Sequence, residues 1–350
     1  MSSQAAPAAG TNTSTAFRRS IGAAIALFFT APLVAEFLLG NLPIKMLVAL
    51  VALAPMYGGG ALLIRELVRR AGRGWPSILL LGAAYTLVEE GFVTQSLFNP
   101  DYLKMQMHLL DHAWISALHI SAWWTLFMFN LHTFWSVSVS IALIEALVPS
   151  RAGQPWLGRL GDSIVALLFL VGCAACTGIT LKGDRFVSSP VQFICAGVAC
   201  LGFIVAAFLI PRRGSGASSG AVPSAWITGV VALALGLGVM FTPAAWNWGA
   251  FAAILAIDVA FLIFVGLLSR RTAWTALHTF SLGAGGALAY GLHAFIERPV
   301  FGGGFAARVG NVIFLAAAVA VITAGARRTA RWQRAPQPSP ERVIQPTSTN

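Results

Sequence analysis

"PSILLLGAAYTLVEEGFVTQSLF" (76–98) is an apolar run of membrane-crossing length with two adjacent glutamates, Glu89 and Glu90, set inside it. A hydrocarbon core about 30 Å thick takes roughly 20 apolar residues per helical crossing. Runs of that length follow one another from residue 20 to residue 326. The composition agrees: of 350 residues, 57% are hydrophobic and 10% charged, which excludes an ordinary soluble domain. Backbone groups in lipid must be paired within the segment, so the spanning elements are helices. The chain reads as an all-α polytopic membrane protein.

Ten spans are predicted, near 20–40, 46–65, 76–98, 121–149, 162–181, 190–211, 224–242, 249–268, 273–296 and 309–326. Loops on the cytoplasmic side hold the excess of Lys and Arg. With the N-terminus inside and strict alternation, the inner segments carry 17 of the 23 Lys and Arg, an asymmetry that predicts ten crossings with both termini cytoplasmic. The expected location is the plasma membrane of a bacterial cell. The net charge of +11 does not point to nucleic acid, because the basic residues sit in short loops beside spans. The densest cluster, "RELVRRAGRGW" (65–75), suits anionic headgroups as well.

The chain divides into a polar N-terminal segment (1–19), six spans (20–211), a Gly/Ser loop on the cytoplasmic side (212–223), four spans (224–326) and a basic, Pro-rich, disordered tail (327–350). The first apolar run is read as a retained span, not a cleaved signal. All four cysteines lie inside spans, where small buried side chains explain them better than a disulfide framework. "MYGGG" (56–60) and "LGAGGALAYG" (282–291) place small residues where helices pack closely.

The longest outer segment, "NPDYLKMQMHLLDHAWISALHISAWW" (99–124), is read as helical. Its His108, Asp111 and His112 then fall at i, i+3 and i+4 on one face, which is a Zn or Cu ligand pattern. Tryptophans at 114, 123 and 124 suit an interfacial helix equally.

Acids inside spans cost several kcal/mol and are functional candidates for that reason. Glu36, Glu89, Glu90, Glu145 and Asp258 fall inside the spans. Glu36 and Glu145 stand near span ends and within reach of an interface. Glu89 and Glu90 lie about 13 Å below the outer boundary. On a wheel of 3.6 residues per turn Glu90 continues a polar stripe with Thr86 and Thr94, while Glu89 is turned away by about 100°. The next outer-to-inner span carries His132 at a similar depth, with Ser136 on its face and Asn130 about 160° away. A Glu paired with a His at this depth has the ingredients of general acid/base chemistry, of a proton relay, or of a structural pair.

At these residues the chain resembles the CPBP (Abi) family of CAAX-protease and bacteriocin-processing intramembrane proteases. That family's motifs are a Glu-Glu pair followed four residues later by Arg, a Phe four residues before a His, and a His four residues before Asn or Asp. Glu89 and Glu90 match the pair, with Thr94 in the Arg position. His132 sits on the next such span, with Met128 in the Phe position and Phe127 and Phe129 beside it. His293 with Glu297 has the third spacing, an acid replacing Asn or Asp. The resemblance implies that Glu89 activates water for peptide hydrolysis with Glu90 as its partner, and that His132 and His293 bind the oxyanion or the water. The wheel favours Glu90 for that role.

Three functions follow from this reading. The first is an intramembrane hydrolase, protease-like, acting on a membrane-bound peptide with no cofactor required. The second is a ten-span proton-coupled secondary transporter using Glu90 and Asp258. The third is a scaffold without chemistry. In each case the constant partners are membrane lipids, and nucleic acid is not among them.

Overall fold

The computed structural model describes residues 10–211 and 218–336. Ten helical rods lie on the ten apolar runs. They are α1 (Ser20–Leu38), α2 (Ile44–Arg70), α3 (Trp75–Val93), α4 (Ala122–Leu147), α5 (Arg159–Asp184), α6 (Pro190–Leu209), α7 (Ala225–Met240), α8 (Trp248–Leu268), α9 (Ala276–His293) and α10 (Phe305–Arg334). Eight are long and apolar enough to cross a bilayer. Of the other two, α7 is apolar but has 16 residues, and α9 has 18 residues diluted by glycine and polar side chains. The protein is an all-α polytopic membrane protein.

Two helix ends run furthest past the boundaries read from hydropathy. The helix that becomes α1 begins at Gly10, inside the polar segment. At the other terminus α10 continues to Arg334, where Arg331 and Arg334 occupy the last turn and complement the negative end of the helix dipole. Residues 1–9, 212–217 and 337–350 lie outside the described residues. They include the start of the polar segment, half of the Gly/Ser loop and the Pro-rich part of the tail.

Helix ends that strict alternation assigns to one side do meet. At one end of the bundle Arg151 reaches Ser20, Arg65 reaches Glu145, Arg73 reaches the carbonyls of Phe208 and Ile210, and Arg328 reaches the carbonyl of Leu147. At the other end Asn99 donates to Asp184, the Ser188 amide to Gln95, the Val300 amide to the Asn41 carbonyl, and the Ala113 amide to Asn247.

Small residues set the closest helix approaches, as their positions predict. A Cβ at Gly58 would stand 1.8 Å from the Phe28 carbonyl oxygen of α1, and one at Gly285 of α9 would stand 2.1 Å from the Gly229 oxygen of α7. Three apolar clusters result among the described residues. One is built largely from α1, α2, α3 and α5, a second from α4, α7 and α9 with the C-terminal end of α1 and with α10 packed against it, and a third from α3, the segment just after it, α4 and α6. The first two meet along α4.

The outer segment after α3 is not helical. The α3 helix stops at Val93, and the chain then runs through a short 3₁₀ turn (Tyr102–Lys104) and a two-stranded hairpin, β1 (Trp114–Ile115) with β2 (Ile120–Ser121). Leu103, Lys104, Gln106, His108, Ala113 and His119 all have positive φ near +50°, which an α-helix cannot accommodate. Local side-chain bonds replace helical ones: Asp101 accepts from the Gln106 amide and Asp184 from the Leu103 amide. The common helical face for His108, Asp111 and His112 therefore does not exist. His108 Nδ1 pairs with Asp111 at 2.8 Å on the exposed surface, while the His112 ring packs edge-on against Trp123.

Candidate functional site

Four stretches of the described chain depart from α geometry into i→i+5 π turns: Leu33–Leu38 in α1, Ala54–Gly58 in α2, Val88–Val93 in α3 and Asn130–Val139 in α4. Residues in π turns make up well under 1% of ordinary proteins, and such turns concentrate at functional sites. Here each of the four delivers a polar side chain to one place: Glu36, Tyr57, the pair Glu89 and Glu90, and His132.

The π turn in α3 explains how both glutamates serve the same partner. An i→i+5 turn carries more residues per turn than 3.6, so successive side chains are rotated less. The Thr94 amide accordingly bonds the Glu89 carbonyl five residues back, at 2.8 Å. Glu89 does not point away, as a regular wheel predicts. Its Oε2 lies 3.1 Å from His132 Nδ1, and Glu90 Oε1 lies 2.8 Å from His132 Nε2. All three are almost inaccessible, at 1% for Glu89, 6% for Glu90 and 4% for His132.

The two carboxylates are held differently. Glu90 accepts from the Thr94 hydroxyl at 2.8 Å, from Ser96 Oγ and from His132 Nε2. An ionised carboxylate only accepts, so Nε2 carries the proton of that bond. Ser96 is braced in turn by the Trp124 indole at 3.2 Å. Glu90 is thus saturated and fixed. Glu89 Oε2, despite its proximity to Nδ1, completes no hydrogen bond, and neither does the buried Tyr85 hydroxyl beside it. Buried polar atoms without hydrogen-bond partners are uncommon, and these two stand together beside the His132 ring.

Aromatic rings and a third acid complete the cluster. The Tyr57 ring stacks on His132 at 6.0 Å and Tyr85 meets it edge-on at 6.1 Å. Tyr57 donates to Glu36 Oε1 at 2.7 Å and Asn41 donates to Oε2 at 2.5 Å. Glu36 therefore turns inward to the cluster instead of reaching the membrane interface. Beyond the end of α3, Tyr102 lies near the three glutamates. Burial, with a further contribution from the Glu90 charge, pushes its phenol above the ordinary range and keeps it a donor.

Of the residues singled out from the sequence, Glu89, Glu90, His132 and Thr94 come together, with Ser136 Oγ 3.5 Å from His132 Nδ1. Asn130 faces the other way and donates to Asp258 of α8 at 2.8 Å, outside the cluster. His293 also stands apart. Its Nδ1 lies 3.4 Å from Glu297, its ring packs on Phe241, and no hydrogen bond or ion pair among the described residues joins it to the glutamates or to His132. Glu145 is buried at the opposite end of the bundle between Arg65 and Arg69.

Glu36, Tyr57, Tyr85 and Ser96 are the members that sequence reasoning missed. Glu36 was visible as an intramembrane acid, but depth along a regular helix assigned it to the interface. Ligand atoms of Glu89, Glu90 and His132 lie within 4.8 Å of one another, a trio able to hold a cation. In the arrangement present the imidazole faces one nitrogen to each carboxylate, hydrogen-bonded to Glu90 and in ionic contact with Glu89.

Comparison with known proteins is consistent with a membrane protein. A family described as "Uncharacterized membrane protein family" matches residues 26–182, a stretch that contains every member of the cluster. No curated protein and no solved structure matches.

Proposed function

We propose that the protein is an intramembrane hydrolase of the plasma membrane, both termini cytoplasmic, in which Glu89 activates water against a membrane-embedded amide or ester, a peptide in the first instance. The observation that carries this reading is that Glu89 Oε2 completes no hydrogen bond although His132 Nδ1 stands 3.1 Å away, beside a Tyr85 hydroxyl that completes none either, on an imidazole anchored from its far side by Glu90. A water between the two would be aligned by Tyr85 and deprotonated by Glu89 as its oxygen attacks the carbonyl carbon. The tetrahedral oxyanion is met by a tyrosine hydroxyl, and Glu89 then passes the proton to the departing nitrogen or oxygen. Glu90 and His132 position Glu89, and the role belongs to Glu89, as the likeness to the CPBP proteases implies. His293 has no part in it.

The cluster is closed, so a substrate enters by displacement of its outer cover, the segment 94–104 with Trp124. In membranes or proteoliposomes presenting a library of membrane-anchored peptides, Glu89→Gln should reduce hydrolysis by about 10²–10⁴-fold, the usual worth of a general base, while expression and thermal unfolding stay close to wild type. His132→Ala should lose as much. Full activity in both variants would sink the assignment.

A proton-coupled transporter is the second reading, favoured by the buried acids Glu36, Glu89 and Glu90 gathered around His132, with Asn41 and Tyr57 donating to Glu36 and His132 bonded to Glu90. It requires substrate flux that follows an imposed pH gradient in proteoliposomes, with no bond cleaved.

A further inference from the structure

A cavity of about 380 Å³ lies between α3, α4, α7, α8 and α9, on the face of α4 opposite His132, and shares no lining residue with the glutamate cluster. Its size falls in the range of small-molecule sites, roughly 300–1,000 Å³. The walls are apolar and aromatic, with Trp75, Phe134, Trp135, Phe261 and Trp274 among them. Asp258 is the one ionisable side chain in the lining, and no Lys, Arg or His accompanies it.

Asp258 stands ten residues into α8, about 15 Å along the helix, near mid-membrane. Asn130 donates to its Oδ2 at 2.8 Å, and the second amide hydrogen of Asn130 is spent on the Leu126 carbonyl at 3.0 Å. No other described side chain or backbone group donates to Asp258, so one carboxylate oxygen faces the cavity without a protein partner. Placing a carboxylate at this depth costs several kcal/mol unless a counter-charge meets it. The protein supplies one neutral donor and no cation.

The geometry points to a binding site for a lipophilic organic cation, an amphiphilic amine or onium compound, with Asp258 as its counter-charge. A bare metal ion would need several more oxygen ligands than these walls offer. A cation carried on an apolar body suits both parts of the site, since aromatic faces attract positive charge and the remaining surface buries hydrocarbon. Entry from the lipid is direct: α8, the outer wall, is the least buried of the eight long apolar helices.

Two probes of equal size and opposite charge test this on the purified full chain in zwitterionic lipid nanodiscs. Tetraphenylphosphonium should bind saturably and quench tryptophan fluorescence, and tetraphenylborate should bind at least tenfold more weakly. Asp258→Asn, which keeps the acceptor for Asn130, should weaken phosphonium binding at least tenfold without moving the thermal midpoint. A second variant guards against misfolding. Gly266 lines the cavity and a Cβ there meets nothing within 4 Å, so Gly266→Leu extends into open space and should block binding with Asp258 intact. Equal affinity for the two ions, or unchanged phosphonium affinity in either variant, overturns the proposal.

Discussion

At the scale of single residues, the site separates fixed groups from free ones. Glu90, with donors from Thr94, Ser96 and His132, spends its charge on the protein. The buried hydroxyl of Tyr85 does the opposite, since it is desolvated and bonded to nothing. A buried donor left unsatisfied costs about 1–3 kcal/mol, so removing it should not harm the fold. Tyr85→Phe is accordingly expected to leave the thermal midpoint unchanged or higher, while lowering hydrolysis by about 10²–10³-fold if the hydroxyl meets the oxyanion. Parallel unfolding and activity assays check the two halves. Activity retained at wild-type level would remove Tyr85 from the mechanism.

At the scale of elements, the four π turns and the glycine contacts act together. The π turns re-aim side chains around the helix, and the glycines let the re-aimed helices approach. Gly58 closes the π turn of α2 that presents Tyr57, and its Cα sits against the backbone of α1 at Phe28. Gly58→Ala must push two backbones apart, an overpacking cost of about 1–3 kcal/mol or more, and should carry Tyr57 away from Glu36. Gly22 on the same α1 has nothing within 4 Å of a Cβ, so Gly22→Ala should be neutral or stabilising by up to about 1 kcal/mol through helix propensity. Thermal unfolding in detergent distinguishes them. A destabilised Gly22→Ala beside a tolerated Gly58→Ala would reverse the packing account.

At the scale of the whole molecule, the end of the bundle opposite the cluster is clamped by one buried guanidinium. Arg65 is fully inaccessible, and it bonds Glu66, Glu145 and the carbonyls of Arg151, Ala152 and Gln154 while covering the Trp156 ring at 3.2 Å. Glu66 in turn accepts from the Trp156 and Leu157 amides. Every charge there has a partner, so the network ties α2, α4 and the loop before α5 and leaves nothing for a ligand. Arg65→Met leaves Glu145 to Arg69 and Glu66 to the Trp156 and Leu157 amides but removes the donor to three loop carbonyls, and should cost about 1–3 kcal/mol, read as a fall in the unfolding midpoint. The proposed orientation has its own check. A reporter fused after residue 350 should fluoresce as a green fluorescent protein and be inactive as an alkaline phosphatase, and the reverse pattern would place that terminus outside.

The membrane class and the all-helical, many-span architecture were legible in the chain, because a bilayer imposes length and hydropathy on every crossing one segment at a time. The match in depth of Glu89, Glu90 and His132 was legible for the same reason, as rise per residue is local. Which faces those side chains occupy was decided by tertiary structure. Packing on glycine-thinned neighbours stabilises π turns that no local pattern encodes, and these bring Glu89 to His132 and draw Glu36 and Tyr57 into the cluster. The outer segment from 99 to 121 went the same way: its helical spacing of His108, Asp111 and His112 yielded to backbone turns tied down by Asp101 and by Asp184 of α5.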